Sequence, residues 1–399
     1  MKQRRVCVIG GGASGLIAAI FAAREGALVT LLEQNERLGK KLLATGNGRC
    51  NLTNTYQDPG CYHGEHPEFA LSVFQTYSME QTVSFFSELG IYIKNRNGYL
   101  YPASNQASSV LEVLEQEARY RKVKIKLQEN AKEIVPGKPD GSWIVKTKTW
   151  QYEADAVIIA CGSPASEIEG AGSAGYVLAG RLGHKIVKPL PALVPLVCKG
   201  NFFSKWAGVR TDAQITLLAK GEPLAREKGE VQLTEYGISG IPVFQISGRA
   251  LRLLDQGILV SVILDFMPDF TEKELLAFLK KRMDNCPYKT IKDSLTGLFP
   301  KKLISVLTDK NPNLEQLTNR IKNLELPVKE GRSLAQAQVC QGGVSTEQIH
   351  PVSMESRICP GIYFSGEVVD IDGICGGYNL QWAWSSGALA GSHAGKEKP

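Results

Sequence analysis

The chain has 399 residues, of which 43% are hydrophobic and 22% charged. This composition is ordinary for a folded globular protein and excludes a disordered, collagen-like or coiled-coil chain. Lys and Arg number 46 against 40 for Asp and Glu, an excess too small over this length to predict nucleic-acid binding. The length predicts two or three domains whose cores need neither disulfides nor a structural metal.

The nine cysteines are dispersed along the chain, and no pair has CxxC or zinc-ligand spacing. They therefore predict free thiols in a reducing compartment, and we expect a cytoplasmic protein. No segment reaches the roughly 20 apolar residues of a membrane span. The partner that we expect is a small-molecule substrate, with neither nucleic acid nor a membrane span, and no metal.

The first predicted elements form a βαβ unit. Residues 6–10 form an apolar strand, 15–26 a helix and 28–33 a second strand. Residues 68–121 are mostly helical, apart from a hairpin in the segment NRNGYLYPAS. Further strands follow and end at 156–160, a continuous apolar run typical of a buried parallel strand.

The pattern changes after residue 188, where three prolines occur within seven residues. Residues 194–264 predict short strands and turns of a small barrel or sandwich, and 271–326 predict helices. A strand at 361–365 and a helix at 377–394 close the chain. We therefore predict a discontinuous α/β domain (1–188 and 340–399), an inserted β-barrel-like domain (189–268 and 327–339) and a helical subdomain (269–326).

The segment Gly10-Gly11-Gly12-Ala13-Ser14-Gly15 fits the pattern GxGxxG between the first strand and the first helix. Gly10 permits the tight turn, Gly12 the approach of a pyrophosphate to the backbone, and Gly15 close packing of helix and strand. Glu33 ends the second strand, where a carboxylate binds ribose hydroxyls. This combination predicts FAD or NAD and argues against NADP. The alternative is a glycine-rich turn without a ligand.

Three later segments favour FAD over NAD. Ala160-Cys161-Gly162 ends a buried strand, Gly366-Glu367 follows another, and GGYNLQWAWSSG opens the last helix. The N-terminus of that helix would stabilise negative charge on a reduced flavin ring. Each segment taken alone is also compatible with ordinary turn chemistry. A second GxGxxG, at 170–175, follows no strand, and we interpret it as a structural helix start rather than a nicotinamide site.

Four blocks resemble the BaiN/YhiN-like flavoprotein family, which includes the aminoacetone oxidases. They are VIGGGASGL, LGKKLLATGNGRCNLTN, GEVQLTEYGISGIPVFQIS and GIYFSGEVVDIDGICGGYNLQWAWSSG. The resemblance covers most of the chain. It implies an α/β fold in which a Rossmann-like FAD-binding domain of two-dinucleotide-binding type carries an inserted β-barrel and a small helical domain.

The same resemblance implies the residues that contact FAD. They are Gly10, Gly12, Ala13, Ser14, Gly15, Glu33, Lys41, Thr45, Gly46, Asn47, Arg49, Cys50, Asn51, Ala160, Gly162, Gly366, Glu367, Gly376, Gly377, Asn379 and Leu380. Lys41 and Arg49 would offset pyrophosphate charge. Cys50 would either tune the flavin or simply fill space, and we prefer the second reading.

The resemblance further implies an FAD-dependent oxidoreductase. We predict a reductase that takes electrons from NAD(P)H and reduces an activated C=C bond of an enone, and the resemblance suggests an enone of steroid or bile-acid type. Tyr378 and Tyr101 are the candidate proton donors, although a buried tyrosine more often only packs. The alternatives are a flavin amine oxidase, acting on an aminoacetone-like amine with oxygen as acceptor, and a non-catalytic flavin-binding protein.

Overall fold

The structure is a computed structural model that describes residues 3–138 and 141–397. The chain divides into two compact units, one formed by Met1–Pro189 with Val339–Pro399 and the other by Leu190–Gln338. The first contains a parallel α/β sheet and the second a closed β-barrel. The predicted fold class, a Rossmann-like domain interrupted by a barrel, is confirmed. A separate helical subdomain at 269–326 stays a prediction.

The elements of the first segment are listed here in chain order. The strands are β1 (Arg5–Ile9), β2 (Leu28–Leu32), β3 (Thr53–Asn54), β4 (Tyr62–His63), β5 (Ile93–Arg96), β6 (Tyr99–Pro102), β7 (Lys124–Lys126), β8 (Glu133–Pro136), β9 (Trp143–Lys146), β10 (Gln151–Ala154), β11 (Ala156–Ile159) and β12 (Ile186–Ala192). The helices are α1 (Ala13–Arg24), α2 (Lys40–Ala44), α3 (Glu68–Thr76), α4 (Met79–Glu88), α5 (Ala107–Tyr120) and α6 (Ala174–Arg181).

The second unit and the closing segment follow. The strands of the second unit are β13 (Leu196–Cys198), β14 (Val209–Ala219), β15 (Glu222–Leu233), β16 (Gly237–Ser239), β17 (Val260–Asp265) and β18 (Leu324–Gly331). Its helices are α7 (Phe203–Trp206), α8 (Ile241–Asp255), α9 (Glu272–Asn285), α10 (Ile291–Ser294), α11 (Lys301–Leu307) and α12 (Leu314–Lys322). The chain closes with β19 (Val339–Val344), β20 (Ile362–Phe364), β21 (Asp372–Gly373) and α13 (Tyr378–Gly395).

The core of the first unit is a five-stranded parallel sheet of order β20-β11-β1-β2-β7. All four residues of β11 are buried, which confirms the predicted parallel strand. The carboxyl ends of parallel strands meet at one edge of a sheet, and ligands bind there in open α/β folds. The glycine-rich segments after β1, β11 and β20 therefore lie at the same edge.

Helices α1 and α13 pack with their backbones in direct contact. A Cβ atom added to Gly387 would lie 2.6 Å from Ser14 O, and one added to Gly391 would lie 2.3 Å from Ala18 O. The pattern repeats one turn later at Gly395. Since both sets of residue numbers rise together, the helices run parallel. Nine residues of α13 precede Gly387, but only Ala13 precedes Ser14 in α1, so the N-terminus of α13 extends ~12 Å beyond the start of α1.

The second unit contains a closed barrel of order β13-β16-β15-β14-β17-β18. Alternate residues of β14, including Ala213, Ile215 and Leu217, are fully buried, as a strand with one face toward a barrel interior requires. The capping box predicted at Thr271 and Glu274 is present at the start of α9.

The prediction of strands and turns throughout 194–264 is wrong at α8, which is a helix of 15 residues. The pattern Gly240-Ile241-Pro242 resembles a turn, but proline is well accommodated in the first turn of a helix. Beyond it, Val243, Ile246 and Ala250 recur with helical spacing and are buried.

The contact between α1 and α13 gives a stability prediction. Gly391→Ala places a methyl group against Ala18 O, and we expect the free energy of unfolding to fall by ~1–3 kcal/mol. Gly180→Ala, in α6, is the matched control because its added Cβ has only Ile186 Cγ1 near it, at 4.0 Å. We expect this control to be unchanged or stabilised by up to ~1 kcal/mol. Equal urea midpoints for the two variants would contradict the prediction.

Candidate functional site

The turn between β1 and α1 is held by close backbone contacts. Gly10 has φ of 108°, and a Cβ there would lie 2.4 Å from Ala160 O. A Cβ on Gly15 would lie 1.8 Å from Gly10 O. Around Gly12, by contrast, an added Cβ would meet no described atom within 4 Å. Gly10 and Gly15 therefore serve packing, whereas Gly12 leaves open the approach to the N-terminus of α1.

Glu33, which follows β2, is hydrogen-bonded to this turn. Its Oε2 accepts a 2.8 Å hydrogen bond from Gly11 N, and its Oε1 accepts 2.8 Å bonds from the backbone N and the Nδ2 of Asn35. The carboxylate is buried and held in one orientation. The helix N-cap is Gly12, which has no side chain to occupy the first N–H groups of α1. A phosphate is the ligand that such N–H groups favour.

Glu367 joins three segments of the site. Lys41 Nζ, in α2, forms a 2.5 Å ion pair with Glu367 Oε2. Ser163 Oγ and Cys340 N donate hydrogen bonds of 2.7 and 2.9 Å to Glu367 Oε1. Lys41, which the family resemblance assigns to a pyrophosphate, has Glu367 as its partner in this structure. Ser163 is a residue that the sequence predictions omit, although its place directly after Gly162 at the end of β11 pointed to it.

The end of β20 contacts the starts of both α1 and α13. Gly366 has φ of 73°, and a Cβ there would lie 2.4 Å from Ser14 Oγ. Gly366 N donates a 2.9 Å hydrogen bond to Ser386 Oγ, and Trp382 Nε1 donates a 3.0 Å bond to Gly366 O. The sequence predictions place Gly366 in the site but omit Ser386 and Trp382. The sequence alone does not distinguish these two residues from the others of the last helix.

A turn with left-handed backbone follows α2. Gly46, Asn47 and Cys50 have φ between 54° and 57°. The Cys50 side chain is fully buried, and burial raises the pKa of its thiol to about 12. The thiol is therefore neutral near pH 7. Next to it, Asn51 is buried and its Oδ1 accepts no hydrogen bond from the part of the chain that the structure describes.

The N-terminus of α13 is shaped by two glycines with positive φ. Gly376 has φ of 134°, and Gly377, the N-cap, has φ of 97°. A Cβ on Gly377 would lie 2.8 Å from the carbonyl carbon of Thr53. Asn379 closes the preceding loop, since its Nδ2 donates to Gly373 O and its Oδ1 accepts from Gly373 N. The Asn379 side chain therefore holds the backbone, while the helix N-terminus carries the positive end of its dipole.

The two candidate tyrosines have different surroundings. Tyr378 is buried, and its ring packs edge-to-face on Tyr62 with centroids 5.7 Å apart. Burial, together with a hydrogen bond to Cys61, raises the pKa of the Tyr378 phenol above its usual value. Tyr101 is only partly buried, and a Cβ on Gly46 would lie 3.9 Å from its Cε1. Tyr101 is the more accessible of the two.

These residues fit an FAD molecule. Open backbone lies at Gly12 and at Gly162, where added Cβ atoms would meet no described atom within 4 Å. The unpaired Oδ1 of Asn51 can accept a hydrogen bond from a ligand. The helix starts of α1 and α13 supply N–H donors. The second GxGxxG instead starts α6, and a Cβ on Gly175 would lie 2.8 Å from Val368 Cγ2, so this glycine serves packing.

A family model described as HI0933-like protein Rossmann domain matches residues 4–393. The chain belongs to this family. It is 45% identical, over the whole length of both chains, to a 3-dehydro-bile acid delta(4,6)-reductase of Clostridium scindens. It is 30% identical to a ribosomal RNA dihydrouridine synthase of Haemophilus influenzae, with 95% of each chain covered. An Escherichia coli protein of the same name is 28% identical and covers 97% of this chain and 96% of its own.

Solved structures share the fold at low identity. A 3-ketosteroid delta1-dehydrogenase from Sterolibacterium denitrificans superposes with a TM-score of 0.52 at 12% identity, covering 98% of this chain and 99% of its own. A flavocytochrome c3 fumarate reductase gives a TM-score of 0.50 at 15% identity, covering 98% and 78%. The predictions of family membership and of a flavoprotein oxidoreductase are confirmed.

Within 3–138 and 141–397, no helix is long and apolar enough to cross a membrane.

Gly12 and Gly172 allow a direct test of the cofactor site. Gly12→Ala places a methyl group on the open approach to α1, and we expect affinity for FAD to fall about tenfold or more. Gly172 occupies the corresponding position of the second GxGxxG and also faces open space, so Gly172→Ala is the matched control. Calorimetric titration of each apoprotein with FAD measures the affinity. Thermal unfolding without FAD should be alike for both variants, and equal FAD affinities would contradict the assignment.

Proposed function

We propose that this protein is an FAD-dependent reductase of a C=C bond conjugated to a carbonyl group, with a 3-oxo-steroid acid as its substrate class. The observation that carries the proposal is the 45% identity to a 3-dehydro-bile acid delta(4,6)-reductase, which extends over both chains in full. The two glycine-rich turns and the helix start at α13 support a bound FAD. We propose the FAD contacts that the family resemblance implies as the residues of that site.

The named relatives act on one kind of bond. A delta(4,6)-reductase of a 3-dehydro acid saturates double bonds conjugated to the 3-oxo group. Dihydrouridine is uridine whose ring C=C, conjugated to a carbonyl, has been saturated. Both reactions add a hydride to an electrophilic carbon of the conjugated system, at the β position or at the vinylogous δ position, and a proton to the neighbouring carbon of the same double bond. This common chemistry supports the reaction class more strongly than any single substrate.

The protein's own groups have distinct roles in this proposal. Bound FAD, once reduced, supplies the hydride. The N-terminus of α13 stabilises negative charge beside Gly376 and Gly377. Tyr101 is our first choice as proton donor because it is partly accessible, whereas Tyr378 is buried against Tyr62. The raised pKa of Tyr378 keeps its phenol protonated, so this residue can hold a proton in the hydrogen bond to Cys61.

NAD(P)H is the electron donor in this proposal. The second GxGxxG serves the packing of α6, so we propose that the nicotinamide binds transiently and leaves before the substrate enters. The first test is anaerobic addition of NADH to the holoenzyme, followed by a 3-oxo-4,6-diene steroid acid. We expect the flavin absorbance to bleach and then return as the dienone absorbance disappears.

Two other outcomes of that experiment would redirect the proposal. Return of the flavin absorbance with uridine-containing ribosomal RNA, but not with the steroid, would favour the second candidate function, RNA uridine reduction, which the 30% identical relative supports. Bleaching by aminoacetone, with peroxide formed in oxygen, would favour the amine oxidase alternative.

The choice of Tyr101 as proton donor gives a separate prediction. Tyr101→Phe should leave NADH reduction of the flavin unchanged and slow its reoxidation by the steroid about a hundredfold, because general acid catalysis is lost. Tyr120 is an exposed tyrosine at the end of α5, and Tyr120→Phe is the control. It should leave the rates of both half-reactions unchanged. Stopped-flow absorbance separates the two half-reactions. An unchanged reoxidation rate in Tyr101→Phe would transfer the role to Tyr378, which Tyr378→Phe then tests.

A further inference from the structure

The β5–β6 hairpin has two chemically different faces. Leu100 and Pro102 of β6 are buried, and Tyr99 and Tyr101 alternate with them on the opposite face. In the antiparallel register, Arg96 lies opposite Tyr99 and Lys94 lies opposite Tyr101. Directly opposed residues project to the same side of a sheet. We call the side formed by Lys94, Arg96, Tyr99 and Tyr101 the cationic hairpin face.

This face borders the candidate FAD site at two places. A Cβ on Gly376 would lie 3.2 Å from Tyr99 Cε1, and one on Gly46 would lie 3.9 Å from Tyr101 Cε1. Asn54, in β3, also donates a 3.2 Å hydrogen bond from its Nδ2 to Gly376 O, which ties the hairpin's sheet to the start of α13. A molecule that reacts beside the N-terminus of α13 therefore lies within reach of the hairpin.

The cationic hairpin face carries positive charge without a carboxylate to balance it. The guanidinium carbons of Arg96 and Arg49 lie 5.7 and 5.9 Å from the centre of the Tyr101 ring. Among the described residues, no carboxylate lies within 4 Å of the charged nitrogens of Lys94, Arg96 or Arg49. Lys94 and Arg96 are exposed. Unbalanced cations beside flat aromatic rings complement a planar ligand that carries an anionic group.

We propose that the cationic hairpin face binds the anionic group of the substrate through Lys94 and Arg96, while Tyr99 and Tyr101 contact its planar ring. The inference rests on the proposed function and adds the feature that selects the substrate. The occupant is a small conjugated ketone with a carboxylate tail. Two cations suit one carboxylate, whereas an RNA backbone is usually neutralised by a more extended set.

Arg96 is the specificity-determining residue in this assignment. Its planar guanidinium can form two parallel hydrogen bonds to a carboxylate, which the ammonium of a lysine cannot. It stands opposite Tyr99 on the edge of the hairpin, outside the glycine turns that we assign to FAD. Substitution of Arg96 should therefore alter substrate affinity without altering the bound flavin.

The test compares a 3-oxo-4,6-diene steroid acid with its methyl ester, which differs only in charge at the tail. For the unaltered holoenzyme we expect a KM about tenfold lower for the acid. Arg96→Gln should raise the KM of the acid about tenfold and leave the ester's KM and the flavin spectrum unchanged. Arg96→Lys should give a KM for the acid between that of the unaltered protein and that of Arg96→Gln. Arg121→Gln is the control, since Arg121 also lies over a tyrosine ring, Tyr120, elsewhere on the unit.

Calorimetric binding of the acid and the ester to the oxidised holoenzyme separates this inference from the proposed function. Tighter binding of the acid that Arg96→Gln abolishes, without any turnover, would uphold the inference and refute the proposed function. Turnover of acid and ester with equal KM, or an equal rise for both in Arg96→Gln, would overturn the inference alone. Binding and reduction of a uridine RNA in place of the acid would overturn it in favour of an RNA substrate.

Discussion

The contact between α1 and α13 is the constraint on which the rest of the first unit depends. Glycines at every fourth position of α13 let its backbone approach α1 to distances that no Cβ would permit. The two helices come from opposite ends of the chain, so this contact joins the segment before the second unit to the segment after it. Because the helices run parallel and start at different levels, their N-termini supply N–H donors at two places along one site.

A second constraint fixes the loops between those helices. Glu367, held by Lys41, Ser163 and the Cys340 amide, couples the ends of β11 and β20 to α2. A carboxylate with three polar partners is held in place much more firmly than one in water. Burial meanwhile keeps the thiols of Cys50 and Cys340 protonated, with pKa values raised to about 12. These two thiols are therefore neutral near pH 7.

The candidate site has one part built from backbone and another built from side chains. The glycine turns and helix starts are built mainly from backbone, and they suit any relative that holds the same cofactor. The cationic hairpin face is built from side chains on a short exposed hairpin. Side chains on such a hairpin can change without disturbing the core, so relatives that reduce different conjugated carbonyls can share one fold.

The sequence by itself determined the parts that depend on local pattern. The GxGxxG at 10–15, the buried strand at 156–160 and the capping box at 271–274 each follow from short-range sterics or hydrogen bonding, and all are present. It misassigned α8 because Gly240 and Pro242 look like a turn until tertiary packing is known. Only the tertiary structure decided that Lys41 pairs with Glu367 and that the Arg49 guanidinium lies 5.9 Å from the centre of the Tyr101 ring. These partners are distant along the chain, and no local pattern encodes which of them come together.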